Sequence, residues 1–256
     1  MARYFLHLAY DGTDFHGWQV QPASDTVQER IDKALSIVLR QPTGTTGCGR
    51  TDTGVHASQF FAHFDTDTLP DSTEQLRYRL NALLPTSIRI FQIIKVADEA
   101  HARYDAHSRT YGYYMHRNPS PFRNNYSTHL ARKVDVNEMN CAADLCIAHS
   151  DFACFNKSGG QQNGTTCRIL ECCWEEKQDE LRFTVTANRF LRGMVRAMVG
   201  TMLDVGTKKI SQDEFQDILN GGKRTRAGES APAKGLFLEQ VTYPFLFLPR
   251  NNPFVQ

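Results

Sequence analysis

The sequence predicts an α+β protein built from two similar halves. Segments with the alternating apolar pattern of strands are interspersed with segments whose apolar residues recur every three or four positions, as in amphipathic helices, along the 256-residue chain. The order of these segments in the first half recurs in the second, although no residue-by-residue repeat is visible. We therefore expect an N-terminal half at 1–105 and a C-terminal half at 106–256.

The first half is expected to run strand, helix, strand, helix, strand. Thr26 and Glu29 have the spacing of a capping box, and Ser72 opens a second helical pattern. The three expected strands are 3–10, 59–66 and 87–96.

The second half continues with a strand at 108–117 and a helix that begins at Asp135. Two strand patterns flank Gln178-Asp179 and predict a hairpin. The remaining expected elements are a helix at Asn188–Val205, a helix at Ser211–Leu219 and a closing strand at 235–243.

Composition is ordinary for a globular protein. Hydrophobic residues make up 41% of the chain, and 29 basic residues nearly balance 28 acidic ones, for a net charge of +1. No apolar run approaches the roughly 20 residues needed to span a bilayer, and the N-terminus lacks a signal-peptide layout, so we expect a cytoplasmic protein. A polyanionic partner then requires clustered basic residues.

Seven cysteines are present, an odd number, with Cys172 and Cys173 adjacent. A complete disulfide framework is therefore not expected. Tetrahedral zinc sites usually use C-x-x-C pairs, and the chain has none. We expect buried free thiols and no metal site.

The stretch GCGRTDTGVHA at residues 47–57 holds the first candidate for chemistry. Asp52 before Thr-Gly suits an ordinary turn. However, Arg50 stands two residues earlier, and the surrounding glycines leave room for another backbone or a ligand. The spacing leaves both interpretations open, and the glycines favour a functional role. His56, His63 and His116 receive no role.

Basic residues cluster twice in the second half. Arg189, Arg192 and Arg196 are three and four apart, which places them on one face of the expected helix at Asn188–Val205. Such a basic stripe is usually solvated, but small residues on the same side favour a packed partner, either a carboxylate or a phosphate backbone. The second cluster, at 223–226, is either a phosphate contact or a solvated loop.

The strand at 108–117 places Arg109, Tyr111 and Tyr113 on one face. Tyrosines in strands usually serve packing. Aromatic rings also stack on nucleic-acid bases, so the strand is alternatively a platform for a base.

Five stretches carry a resemblance to a known family. In chain order they are YDGTDFHGWQ, GCGRTDTGVHA, HARYDAHSRTYGYYMHR, FLRGMVRAMVGTMLDVG and SAPAKGLFLEQVTYP. Together, and over nearly the whole chain, they resemble the motifs of the tRNA pseudouridine synthase A family. In the central motif Cys48 and Thr53 stand where the family more often has alanine, and in the tyrosine strand Gly112 is smaller than the usual residue.

The resemblance assigns roles residue by residue. Asp52 matches the family's catalytic aspartate, and Arg196 matches the arginine that pairs with it. Tyr111 matches the tyrosine that contacts the target uracil, Arg50 lies close to the flipped-out nucleotide, and Arg192 is a further candidate for substrate binding. The family's fold implies largely antiparallel sheets, helices packed on one side, and an active-site cleft between the halves.

The implied reaction converts uridine to pseudouridine at positions 38, 39 and 40, in the anticodon arm of tRNA. It moves no electrons between molecules, so no cofactor is expected, and the sequence contains neither a dinucleotide fingerprint nor a P-loop. The implied partners are tRNA and a second copy of the chain, in a homodimer.

Two other functions fit parts of the pattern. Asp52-Thr53-Gly54 spells the DTG of aspartic proteases, but that chemistry needs a second such loop or a symmetric dimer, and a nearby Arg50 opposes a shared proton. The other is a non-catalytic RNA-binding module, in which the arginines matter and Asp52 is dispensable.

Overall fold

The computed structural model describes residues 1–69, 71–157 and 164–250. The chain divides into two compact units, one formed by Met1–His107 together with the segment from Phe237 onward, the other by Ser108–Leu236. Within the described residues, none of the helices combines the length and apolar character needed to cross a membrane.

The first unit is a mainly antiparallel sheet with two helices. Its strands run in the order β4-β1-β3-β9, and the short β2 pairs with β3. Its elements are β1 (Ala2–Tyr10), α1 (Val27–Leu39), β2 (Thr46–Gly47), β3 (His56–Thr66), α2 (Thr73–Leu83), β4 (Ile88–Lys95) and, from the far end of the chain, β9 (Leu236–Thr242).

Side-chain hydrogen bonds fix both helices of the first unit at their start. The hydroxyl of Thr26 accepts a bond from the main-chain N–H of Glu29 at 3.4 Å, and that of Ser72 accepts one from Gln75 at 3.2 Å. Asn81 of α2 bonds the N–H and the carbonyl of Ile90 in β4, at 2.9 and 2.8 Å. These bonds tie α2 to the edge of the sheet.

The C-terminal segment belongs with the first unit, whereas the sequence division at 105/106 grouped it with the second half. The reason is strand pairing: β9 lies parallel to β3, with His56 opposite Phe237. Buried Gln59 of β3 also accepts a bond from the N–H of Val241 and donates one to the carbonyl of Pro249, at 2.9 and 3.0 Å.

The second unit is an antiparallel three-stranded sheet, ordered β5-β8-β7, with the short β6 parallel to β5. The expected hairpin at Gln178-Asp179 is confirmed, since it joins β7 to β8. The elements are β5 (Ser108–His116), β6 (Thr128–His129), α3 (Val136–Ala148), β7 (Ile169–Lys177), β8 (Glu180–Ala187), α4 (Met194–Gly206) and α5 (Gln212–Gly221).

Two helices of the second unit, α3 and α4, contact its sheet at Trp174 of β7. Asn140 of α3 bonds both main-chain groups of Trp174, at 2.8 and 3.1 Å. The indole N–H points at the sulfur of Met202 in α4, 3.3 Å away. Ser211 and Glu214 form the expected capping box at the start of α5. The α+β class, with largely antiparallel sheets, is confirmed.

The helix expected at Asn188–Val205 was wrong at its start, because α4 begins only at Met194. Gly193 precedes it with φ +68°, a left-handed conformation that interrupts a helix and favours glycine. The side chain of Asn188 accepts bonds from the N–H groups of Arg168 and Arg189, at 2.8 and 2.9 Å, and holds an irregular path instead.

Candidate active site

Asp52 lies in an irregular loop of the first unit that leads directly into β3. A main-chain turn begins at Asp52: the N–H of Val55 donates to the carbonyl of Asp52 at 3.1 Å, and Gly54 has φ +75°. The Asp52 side chain is half-buried rather than fully solvated. We call residues 51–55 the aspartate loop.

A second loop, residues 11–18, packs directly on the aspartate loop. A Cβ atom at Gly12 would lie 2.0 Å from the carbonyl oxygen of Val55, and one at Gly17 would lie 2.5 Å from that of Thr51. Because real side chains never approach main chain so closely, both positions require glycine. We call residues 11–18 the glycine loop.

Hydrogen bonds join the two loops on both sides of Asp52. The N–H of Trp18 donates to the carbonyl of Thr51 at 3.2 Å, and the N–H of Gly54 donates to the carbonyl of Phe15 at 3.3 Å. The hydroxyls of Thr51 and Tyr10 are also 2.8 Å apart in the interior. The backbone around Asp52 is therefore held by main-chain partners rather than by its own turn alone.

Buried aromatic rings pack where the glycine loop meets β3. Trp18 is buried and stacks on Phe60 of β3, with ring centroids 4.1 Å apart. A Cβ atom at Gly47 would lie 2.6 Å from the indole nitrogen of Trp18, so the first glycine of the central motif makes room for this ring.

His56, which received no role from the sequence, is fully buried at the end of the aspartate loop. Its Nδ1 atom lies 3.1 Å from the main-chain nitrogen of Gly12 and 3.0 Å from a carboxylate oxygen of Asp11. The only sequence sign of this contact is that His56 lies within the central motif, four residues after Asp52.

The other residues of the central motif divide between interior and surface. Arg50, the candidate for contact with a nucleotide, is exposed. Cys48 is buried, and its main-chain N–H donates to the carbonyl of Phe61 at 2.7 Å. Thr53 is exposed and no restriction on its size follows from packing.

Tyr111 and Tyr113 of β5 have different surroundings in the second unit. Tyr111 is half-buried, and its ring meets Phe190 edge-on with centroids 5.1 Å apart. Tyr113 is buried. Its hydroxyl donates to the carbonyl of Pro232 at 2.9 Å and lies 2.8 Å from the hydroxyl of Thr128. Burial raises the pKa of the Tyr113 phenol to about 12, so this group stays protonated and structural.

Arg196 of α4 is half-buried and bonds the main chain of the segment that precedes β9. Its Nε donates to the carbonyl of Ala231 at 2.6 Å, and the N–H of Ala231 donates back to the carbonyl of Arg196 at 2.9 Å. One turn on, a Cβ atom at Gly200 would lie 1.7 Å from the carbonyl oxygen of Glu229. Gly200 therefore makes room for the protein's own backbone.

The three arginines expected on one helix face do not share it. Only Arg196 lies in α4, and Arg189 and Arg192 precede its first turn. Arg192 is exposed, and its carbonyl accepts a bond from the N–H of Lys157 at 2.9 Å. Phe190, also expected on the helix, instead packs on Tyr111.

The basic cluster at 223–226 has one structural member. Arg224 donates to the carbonyl of Gly228 at 3.1 Å and to the hydroxyl of Ser230 at 2.9 Å, so it holds the loop that leads to Ala231. Lys223 and Arg226 are exposed.

The cysteines are free thiols, five of them buried, while Cys141 is exposed and Cys173 half-buried. Burial raises the pKa of Cys154 to about 12, which makes that thiol unreactive. Across the described parts of the chain, no group of histidine, cysteine or carboxylate side chains is arranged to hold a metal ion.

Comparison with known proteins gives a consistent result over nearly the whole chain. Residues 142–244 match a family model described as tRNA pseudouridine synthase. Proteins named tRNA pseudouridine synthase A are 46% identical in Porphyromonas gingivalis, over 95% of this chain and 98% of the relative, and 44% identical in Bacteroides fragilis, over 95% and 97%. One from Ruminiclostridium cellulolyticum is 41% identical over 95% of this chain and 100% of its own length.

Among solved structures, a protein of Galdieria sulphuraria described as unknown aligns with 82% of this chain and 94% of its own. The identity is 12% and the TM-score 0.22, so this similarity supports no conclusion.

Proposed function

The chain belongs to the tRNA pseudouridine synthase A family, and we propose that it modifies uridines 38, 39 and 40 in the anticodon arm of tRNA, with Asp52 as its catalytic residue. The resemblance seen in the sequence is thereby confirmed. The protein is an isomerase that forms pseudouridine in tRNA.

The reaction rearranges one nucleoside without a net change in atoms or electrons. The bond between uracil N1 and ribose C1′ breaks, the uracil turns, and a bond forms between C5 and C1′. The hydrogen on C5 leaves for solvent, and N1 gains a proton. Because the reaction consumes no oxidant, reductant or group donor, we propose that the protein acts without a cofactor.

Asp52 is proposed to act at the ribose, either by attacking C1′ or by removing a ribose proton. Carboxylates serve as nucleophiles in other glycosyl chemistry, and both routes need an ionised carboxylate held in a fixed position. The observation that carries this proposal is the pair of interlocked loops, in which main-chain bonds at Thr51 and Gly54 fix the backbone on both sides of Asp52.

Four further side chains are proposed to complete the site. Arg196 pairs with the Asp52 carboxylate and orients it, and Tyr111 contacts the uracil. Because the target base must leave its helical stack, at a cost of a few kcal/mol, contacts to the extruded nucleotide are needed to offset it. Exposed Arg50 and Arg192 are proposed to provide these contacts through the phosphate backbone.

Membership of this family removes the support for the two alternative functions. An aspartic protease needs a paired DTG loop, and a non-catalytic RNA-binding module has no use for an isomerase site. The proposed partners are tRNA and a second copy of the chain in a homodimer, which light scattering of the purified protein can check. We propose the cytoplasm as the place of action, because the substrate is tRNA.

The target positions can be tested with tRNA transcripts that carry tritium at uracil C5. One transcript has uridine in the anticodon arm only at 38, 39 and 40, and a matched transcript has cytidine at those three positions. We expect tritium release from the first and none above background from the second. Equal release from both would overturn the assignment to the anticodon arm.

A further inference from the structure

The structure places a buried imidazole where the two interlocked loops meet β3. His56 is 1% exposed and stacks on Phe237 of β9, with ring centroids 4.5 Å apart and planes 20° from parallel. The two residues are also paired across the strands. The ring therefore has a fixed orientation, set by β3 and β9.

The fixed ring directs Nδ1 at the start of the glycine loop. This atom is 3.1 Å from the main-chain nitrogen of Gly12 and 3.0 Å from Oδ1 of Asp11. An unprotonated Nδ1 accepts from Gly12, whereas a protonated one donates to Asp11. In either state, Nδ1 ties the first two residues of the glycine loop to β3.

The tie reaches Asp52 through atoms in contact. Gly12 lies against the carbonyl of Val55, where a Cβ atom would be 2.0 Å from the oxygen. The N–H of Val55 in turn donates to the carbonyl of Asp52 at 3.1 Å. A displacement of Gly12 is therefore transmitted to the turn that carries Asp52 through a single backbone contact, with Val55.

We infer that His56 is a positioning residue for Asp52, acting through Nδ1 on the glycine loop. The inference rests on the proposed function, because it gives His56 a purpose only if Asp52 is catalytic. Misplacement of a reacting group by about 1 Å costs about 100-fold in rate, so loss of the tie should appear in kcat. It should not appear in tRNA binding, since buried His56 presents almost no surface to a ligand.

Asparagine and glutamine separate the two ring nitrogens. The shorter amide side chain in His56→Asn reaches the position of Nδ1, whereas the longer one in His56→Gln reaches the position of Nε2. His56→Leu removes both. His63 provides a matched control, because it lies on the same strand, is 6% exposed, and accepts through Nδ1 from the N–H of Ala102 at 3.1 Å.

The experiment measures kcat and KM by tritium release from tRNA, together with Tm, for the His56 variants, His63→Leu and Asp52→Asn. We expect His56→Leu and His56→Gln to lower kcat about 100-fold with KM within about threefold, and His56→Asn to recover most of the loss. His63→Leu should lower Tm by a similar amount yet keep kcat within about threefold.

Equal activity of His56→Asn and His56→Gln would overturn the inference. A fall of kcat in His63→Leu as large as that in His56→Leu would also overturn it, because the loss would then follow from reduced stability alone. Asp52→Asn separates the positioning role from the proposed function. If it is inactive while His56→Leu is active, only the positioning role fails. If it keeps wild-type activity, the proposed catalytic role of Asp52 fails and the positioning role with it.

Discussion

Nε of Arg196 donates to the carbonyl oxygen of Ala231 at 2.6 Å, and the two residues also share a main-chain bond of 2.9 Å in the opposite direction. The guanidinium is thereby oriented by the backbone of a segment 35 residues further along the chain. A charged donor to a carbonyl contributes about 1.5–3 kcal/mol, so this contact fixes the side chain strongly.

Replacement of Arg196 by alanine should affect turnover more than binding. We expect kcat to fall about 100-fold or more while the Kd for tRNA rises only a few-fold, because the proposed task of Arg196 is to orient the Asp52 carboxylate. Arg192→Ala is the comparison, since exposed Arg192 should affect Kd more than kcat. Single-turnover tritium release and filter binding measure both; equal effects of the two variants would contradict the assigned roles.

The packing of the glycine loop gives a prediction on stability and activity. Gly12→Ala should lower both the free energy of unfolding and kcat, because the added Cβ would lie 2.0 Å from the main-chain oxygen of Val55. Gly49→Ala is its control, since nothing lies within 4 Å of a Cβ at Gly49. Urea unfolding should show a loss of about 2 kcal/mol or more in the free energy of unfolding for Gly12→Ala and almost none for Gly49→Ala. Tritium release should likewise show a lower kcat only for Gly12→Ala.

The second basic cluster divides into binding and structural residues. Lys223 and Arg226 are exposed, so their replacement by alanine should weaken binding to many tRNAs alike and reduce the slope of log K against log salt by about 1 per charge. Arg224→Ala should instead lower Tm, because Arg224 bonds Gly228 and Ser230. A salt slope that stays constant in the double variant would remove this loop from the tRNA interface.

His7 makes stability depend on pH. Burial lowers the pKa of His7 to about 4, and neither ring nitrogen has a hydrogen-bond partner within the described parts of the chain. The pKa in the folded protein thus lies below the ordinary value of 6.5, so the associated stability is present above about pH 6.5 and is lost as pH falls toward 4.

His7→Phe should remove this dependence while it preserves the ring stacking on Phe61, at 5.1 Å. We expect the variant to gain on the order of 1–2 kcal/mol relative to wild type between pH 7.5 and pH 5, measured by urea unfolding at both values. His16→Phe, at an exposed histidine, should leave the difference between the two pH values as it is in wild type. An unchanged difference in His7→Phe would show that another group carries the acid sensitivity.

The sequence was sufficient for elements whose signals are local. Ser211 and Glu214 begin α5 through reciprocal bonds between neighbours, and Gln178-Asp179 turns a hairpin between adjacent strands. The predicted start of α4 was wrong because the helical spacing of apolar residues extends to the N-terminal side of Gly193. The positive φ of Gly193 interrupts the helix there, and the spacing of apolar residues does not reveal a dihedral angle.

The parts of the site that depend on distant contacts were not visible in the sequence. Gly12 and Val55 are far apart in the chain, so the reason for the glycine appears only in the folded backbone. The same holds for His56, which looks like any strand histidine until its contacts with Gly12 and Phe237 are seen. The motifs made Asp52 the candidate catalytic residue, while packing explains how its loop is held.

The most direct test of the proposed role of Asp52 compares wild type with Asp52→Asn. This variant keeps the size of the side chain and the main-chain turn but removes the negative charge. Both proteins are incubated with tRNA bearing tritium at uracil C5, and tRNA binding is measured in parallel. We expect wild type to release tritium and Asp52→Asn to release it at least about 1,000-fold more slowly with its Kd almost unchanged. Release by both proteins at similar rates would contradict this role, because the carboxylate would then have no part in the chemistry.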